Sequence, residues 1–468
     1  MTTIINIGQL LGIVPEGVER KQGAEMSELG VIADAWLRIA DNGTILDFGP
    51  MSECPLAGYS TSGQAAADLG PLQRTAVSGL AAADLGPHQR TAVSGLAAAD
   101  LGPYEREAAA CPDKNGVVDA KGGLLMPAFC DSHTHIVYAG SREGEFLDKI
   151  NGLSYEQIAA RGGGILNSSD LLHRCSEDEL YLQAMTRVKE MMAKGSAAIE
   201  IKSGYGLNPA DELKMLRVIH RIKQSVPALI RSTFLGAHAI GRGHTRRSYV
   251  QEVIDMMPQA AEYADFVDVF CDEGFFTPAD TERILEQGAR YGLRPKIHAN
   301  ELSVSGGVQV GVKHSALSVD HLERTGEEEI EALKGSQTMP TMLPGSSFFL
   351  GIPFARAKEF IAAGLGVALA SDYNPGSSPM GDMRFVMALG CIKMRLSPVQ
   401  ALNAVTLNGA YAMGANKKTG SITVGKRADL ILSEPGWTLT RIPYTFQTPF
   451  IRSVFIDGVQ QQEPHPQA

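Results

Sequence analysis

The chain has 468 residues, which exceeds one ordinary domain and suits one large barrel plus a smaller domain. A hydrophobic content of 44% supports a sizeable core, while a net charge of -10 and a pI near 5.6 argue against nucleic acid or an anionic membrane as a partner. A small-molecule substrate is the better expectation.

Six cysteines, Cys54, Cys111, Cys130, Cys175, Cys271 and Cys391, are scattered without Cys-x-x-Cys spacing, which points to reduced thiols rather than a disulfide frame or zinc ribbon. The N-terminus lacks the basic and long apolar regions of a signal peptide, and no apolar run approaches the roughly 20 residues of a membrane span. A cytoplasmic location is expected.

In chain order, Trp36-Leu37-Arg38-Ile39 and Thr44-Ile45-Leu46-Asp47-Phe48 flank Asp41-Asn42-Gly43, which predicts a hairpin in a small β element. A tandem repeat of period 16 follows at about residues 65–103, with Ala-Ala-Ala-Asp-Leu-Gly-Pro ending at Pro71, Pro87 and Pro103. It is too short and too punctuated by Gly and Pro for an established solenoid unit, and reads as an inserted surface loop without catalytic chemistry.

The apolar run Leu124 to Cys130 reads as one buried strand leading into Asp131-Ser132-His133-Thr134-His135. Side chains alternate along a strand, so His133 and His135 share a face and form half of a metal site. A bare His-x-His is more often a pair of solvated or packed histidines. What lies downstream decides.

From residue 124 strands alternate with amphipathic helices, one of them Asp211 to Val226. Eight strands are predicted to end near His135, Lys202, His238, Phe270, His298, His321, Met342 and Asp372. That count favours a closed (β/α)8 barrel, an α/β fold whose reactive residues sit at the C-terminal strand ends. His133, His135, His298, His321 and Asp372 would then converge on one mouth, a nitrogen and oxygen ligand set suited to Zn²⁺ or Fe²⁺. Such a metal acidifies a bound water, and hydrolysis is implied.

Longer strings carry a resemblance: Tyr138 to Phe146, Gly162-Gly163-Gly164-Ile165, Lys202 to Leu207, Phe234 to His238, His298-Ala299-Asn300-Glu301, Ser318 to His321 and Ser371 to Gly376. Outside the repeat, the chain resembles the imidazolonepropionase family of the metal-dependent amidohydrolase superfamily. The resemblance implies ring opening of 4-imidazolone-5-propanoate to N-formimidoyl-L-glutamate in histidine degradation. It assigns one Zn²⁺ or Fe²⁺/Fe³⁺ to His133, His135, His298 and Asp372. Substrate or product goes to Arg142, Tyr205, His238, Glu301, Asn374 and Gly376. Ser377 stands where many relatives have threonine, and the hydroxyl is retained.

The same resemblance places Glu301 and His321 beside the reacting water, with Asp372 a further candidate base. Arg142 suits the substrate's carboxylate as a guanidinium fork. The fourth barrel strand, Asp265 to Glu273, has no lysine to bridge two metals, so a mononuclear site is expected. Lys202, on the second strand, reads as a charge held by ion pairs near the pocket.

His173 and His220 in helical segments, His88 in the repeat and His465 in the tail read as surface residues, and His244 and His314 as solvated loop residues. Glu327-Glu328-Glu329 reads as the acidic first turn of a helix. Gly420 to Leu432 returns to strand character, with a further strand at Val454 to Gly458. The resemblance implies that residues 1–126 and 420–468 form a β-sandwich built from both chain ends, around a 127–419 barrel. A homodimer is the family expectation. Competing readings are a deaminase of a cyclic amidine and a non-catalytic scaffold of the same fold. Arg142 and Tyr205 disfavour the first, and a complete ligand set disfavours the second.

Overall fold

A computed structural model describes residues 1–56, 116–153, 157 and 163–461. The tandem repeat, Cys111, Gly162, His88 and His465 lie outside the described residues.

The chain begins with β1 (Thr2–Ile13), which pairs antiparallel with β2 (Gly30–Ile39), and β2 turns into β3 (Ile45–Pro50) in the hairpin that Asp41-Asn42-Gly43 predicts. Two strands return beside β1 in parallel, β4 (Val117–Asp119) and β5 (Gly123–Pro127). The chain then leaves this sheet for β6 (Phe129–Asp131).

The barrel continues through β7 (Ser196–Lys202), β8 (Leu229–Ala237), β9 (Phe266–Cys271), β10 (Arg294–Ala299), β11 (Ser318–His321), β12 (Met339–Met342) and β13 (Ala368–Leu369). The eight strands from β6 to β13 lie in sequence order, each parallel to the next. A parallel bridge between Thr134 and Tyr373 joins the last strand to the first. The eight predicted strands are therefore the eight observed, in a (β/α)8 barrel. Helices pack outside it, including Glu177–Ala193, started by a Ser176/Glu179 capping box, and Pro209–Ser225, started by Asn208 with proline in the first turn.

After the barrel, β14 (Leu430–Pro435), β15 (Ile451–Ile456) and β16 (Val459–Gln460) rejoin the first sheet, with β14 antiparallel to β5. Ile4, Leu37, Leu125, Leu430 and Phe455 share its separate apolar core.

Two expectations are corrected. The run Leu124 to Cys130 is two strands in two sheets: Pro127 pairs with Leu430 in the small sheet, and Phe129 pairs with Ser196 in the barrel. Both are buried on both faces, so the sequence shows one unbroken apolar run with no period to mark the change. Likewise, strand pairing in Gly420 to Leu432 begins only at Leu430, apart from isolated bridges at Ile422 and Arg427. Gly420 and Gly425, both at positive φ, turn the chain before it.

Candidate metal centre and substrate cavity

The extended segment after β6 stays paired to its neighbours. Asp372 N donates to His133 O at 3.0 Å, His135 N to Tyr373 O at 2.9 Å, and Lys202 N to Thr134 O at 2.9 Å. That pairing holds Thr134 towards β7, where its hydroxyl donates to Glu200 O, and leaves His133 and His135 side by side.

Their rings meet at the barrel mouth. His133 Nε2 and His135 Nε2 are 3.2 Å apart, and His298 Nε2 lies 3.3 Å from His135 Nε2. Asp372 Oδ1 stands 3.6 and 3.5 Å from the Nε2 atoms of His133 and His135. Burial, then the nearby Lys202 charge, holds His133 well below the usual histidine range; burial, then His238, does the same for His135. Imidazoles turned nitrogen to nitrogen around a carboxylate oxygen are the donor set of a transition-metal site. His133, His135 and Asp372 form one group of potential ligands, and His133, His298 and His321 another.

Behind the rings lies a buried ionic layer that sequence reading missed, apart from Lys202. Asp320 Oδ2 sits 2.6 Å from His133 Nδ1, and Asp268 Oδ2 sits 3.0 Å from His298 Nδ1, which leaves each Nε2 turned towards the centre. Lys202 Nζ bonds Glu200 at 2.6 Å and Asp268 at 2.9 Å. Lys296 Nζ bonds Glu200 and the carbonyl of Ser132. The signal was present: Lys296, Asp268 and Asp320 are charged residues inside short apolar strands, where an unpaired charge would be costly.

The mouth opens into a cavity of about 850 Å³. Arg142, Tyr205, His238, Glu301, Asn374, Gly376 and Ser377 all line it, together with His135, His298, His321 and Asp372. At Gly204 the backbone has φ +119, and a Cβ there would crowd His238, whose Nδ1 lies 3.1 Å from Gly204 O.

Glu301 and His321 face each other, Oε2 to Nε2, at 3.6 Å. Burial pushes the Glu301 carboxyl up to about 7, although the His321 charge opposes it. Burial alone would lower His321, but Glu301 and Glu323 outweigh it and lift it to about 10. Glu323, also missed from sequence, lies 3.6 Å behind His321 Nδ1 and accepts a bond from Ser347 Oγ at 3.1 Å. His321 (φ 85), Asn300 (φ 58) and Asp372 (φ 53) all lie in the left-handed region, a backbone cost concentrated at the strand ends that carry the site.

Asn374 is occupied by its own loop. Its Oδ1 accepts from Gly376 N at 2.7 Å and Ser377 N at 2.8 Å, and its Nδ2 donates to Asp372 O and Ser377 Oγ. It therefore shapes the cavity wall from beneath. Two further charged side chains were missed, Glu145 beside Arg142 and Lys149 on the wall itself. The first binds Arg142 and the second donates to Gly376 O. His173, expected at the surface, is exposed at one edge yet lies 2.7 Å from Gly206 O through Nε2, so it braces the loop after β7. Lys202 is held by ion pairs, as expected.

A closed (β/α)8 barrel with histidines and an aspartate gathered at its C-terminal strand ends defines a metal-dependent hydrolase class. The amidohydrolase family model matches residues 124–460. The imidazolonepropionase of Flavobacterium johnsoniae is 45% identical, with 98% of this chain and 99% of the relative covered; that of Flavobacterium psychrophilum is 44% identical over the same shares. Among solved structures, a 5-methylcytosine deaminase from Klebsiella pneumoniae superposes with a TM-score of 0.66 at 15% identity, covering 98% of this chain and 97% of that one. A zinc-bound adenosine deaminase from Xanthomonas campestris gives 0.63 at 14%, covering 99% and 93%. Those two share the fold. The chain belongs to the amidohydrolase family and, within it, to the imidazolonepropionases.

Proposed function

We propose that this barrel mouth opens the ring of 4-imidazolone-5-propanoate to N-formimidoyl-L-glutamate, a hydrolysis in histidine degradation. The observation that carries this reading is the meeting of three imidazole Nε2 atoms and Asp372 Oδ1 on the cavity that Arg142, Glu301 and His321 line.

His133, His135, His298 and Asp372 would hold one Zn²⁺ or iron ion, a choice their mixed nitrogen and oxygen donors support. Bound there, the ion supplies Lewis-acid polarisation of a carbonyl and lowers the pKa of a water from 15.7 to about 7. Water adds its oxygen to the ring carbonyl carbon, the bond from that carbon to the ring nitrogen breaks, and the nitrogen gains a proton. Glu301 Oε2 takes the proton from water and returns it to the leaving nitrogen, a task suited to a carboxyl near neutrality. His321 Nε2, held protonated by the carboxylates on either side, donates to the carbonyl oxygen as negative charge builds. Tyr205 and His238 flank the ring, and Gly376 and Ser377 line the same cavity.

The change of sheet at Ala128 supports the division expected as residues 1–126 with 420–468 around a 127–419 barrel, with Pro127 still on the small sheet's side. A cytoplasmic location is supported by the free thiols of the five described cysteines, and a homodimer by the family resemblance. Release of N-formimidoyl-L-glutamate from freshly made 4-imidazolone-5-propanoate tests the reading. A metal-loaded protein that leaves this ring intact overturns the substrate.

A further inference from the structure

Arg142 precedes the short helix Glu143–Ile150, and Lys149 sits in its last turn; both side chains reach the same cavity wall. They are not equivalent. Arg142 Nε and Nη2 both donate to Glu145 Oε2, at 2.9 and 2.7 Å, and the other Glu145 oxygen accepts from Gly164 N at 2.9 Å. The formal charges of this pair cancel. A fork already closed on a carboxylate has little net charge left to attract a second one.

Lys149 is the opposite case. It is half-buried, its Nζ donates to Gly376 O at 3.1 Å, and it stands 5.3 Å from the centre of the Phe349 ring. Among the described residues no carboxylate lies within ion-pair distance of it. Burial, then the Arg142 charge, holds its ammonium below the usual lysine range, and the Glu145 carboxylate opposes this only in part. Gly376 joins the two groups: its carbonyl takes Lys149, and a Cβ at that position would strike Arg142 Nη1. The cluster of Arg142, Glu145 and Lys149 therefore carries one positive charge in excess, and Lys149 is its member without a salt bridge.

We propose that Lys149 supplies the net charge that binds the carboxylate tail of the substrate, while the Arg142–Glu145 pair contributes shape and a remaining donor edge. This deepens the function proposed above and rests on it. One uncompensated cation fits a ligand with one carboxylate, so the site selects an acid over its neutral amide.

The test uses the full chain loaded with Zn²⁺ and two ring-stable probes, 3-(imidazol-4-yl)propanoate and its carboxamide, titrated by calorimetry. The wild type is expected to prefer the acid. Lys149→Met and Lys149→Gln should each lose that preference by about tenfold or more, the scale of one charge-assisted hydrogen bond. Lys149→Arg should keep it to within about threefold, because the charge remains. Lys149→Gln retains a donor for Gly376 O, so loss in both neutral variants traces to charge rather than to the fold of the wall. An unchanged preference in the neutral variants, or a wild type that opens the ring yet binds acid and amide alike, overturns the inference alone. A wild type that neither opens the ring nor prefers the acid overturns the function as well.

Discussion

Asp320 Oδ2 lies 2.6 Å from His133 Nδ1, with both groups wholly buried. This contact turns His133 Nε2 to the centre of the site, and Lys202 at 3.8 Å and Lys296 at 3.6 Å hold the carboxylate in turn. Asp320→Asn should therefore weaken metal binding by about 10- to 100-fold, the usual cost of removing an outer-shell partner. Competition with a chelator of known affinity measures this. Asp320→Ala should also leave two buried ammonium groups short of charge, with a stability loss of roughly 3–5 kcal/mol.

Arg142 and Glu145 act as a unit. Arg142→Ala should raise KM, because it removes a donor and also exposes the Glu145 carboxylate to an anionic substrate. The Arg142→Ala/Glu145→Gln double variant should recover part of that loss. Equal KM values for the single and double variants would show that Glu145 carries no free charge at this wall.

His321 stands between two carboxylates, with Glu301 and Glu323 each 3.6 Å away. His321→Ala should mainly reduce kcat, by about 10²- to 10³-fold, as loss of an oxyanion donor does. Glu323→Gln should lower kcat with little change in KM, since Glu323 touches His321 and not the cavity. A Glu323→Gln variant with wild-type kcat would remove Glu323 from the account.

Glu212 links pH to stability away from the reaction. Burial pushes its carboxyl up to about 7, although Oε1 accepts from Gly206 N at 2.7 Å and Leu207 N at 3.1 Å. The folded chain thus keeps a proton that the unfolded chain releases above about 4.5, and this group's contribution falls as pH rises from about 4.5 to 7. Glu212→Gln cannot ionise. Its stability relative to wild type should improve by roughly 2–3 kcal/mol between pH 4.5 and 7.5, read from denaturant unfolding at each pH. A constant difference across that range would mean that Glu212 ionises as freely folded as unfolded.

The barrel and the convergence of histidines were legible because each βα unit repeats the same local pattern and six of the eight predicted strands end on a polar residue. His298, His321 and Asp372 needed only that register to be brought to one mouth. The division between β5 and β6 was not legible, since both are buried on both faces and leave no alternation to read. The ionic layer behind the metal ligands was hidden for a different reason. Glu200, Asp268, Lys296 and Asp320 come from four strands, and their pairing exists only once the barrel closes. The Arg142–Glu145 bond was local, three residues apart, and could have been read as a pair.

A barrel mouth whose four side chains hold one metal should lose and regain ring opening with that metal. The most direct measurement is ring opening of 4-imidazolone-5-propanoate, made freshly from urocanate, by purified protein before chelation, after chelation, and after adding back Zn²⁺ or Fe²⁺. Loss of N-formimidoyl-L-glutamate on chelation and its return with about one metal ion per chain is the predicted result. Full activity in a demonstrably metal-free protein, or no activity in a fully loaded one, would contradict it.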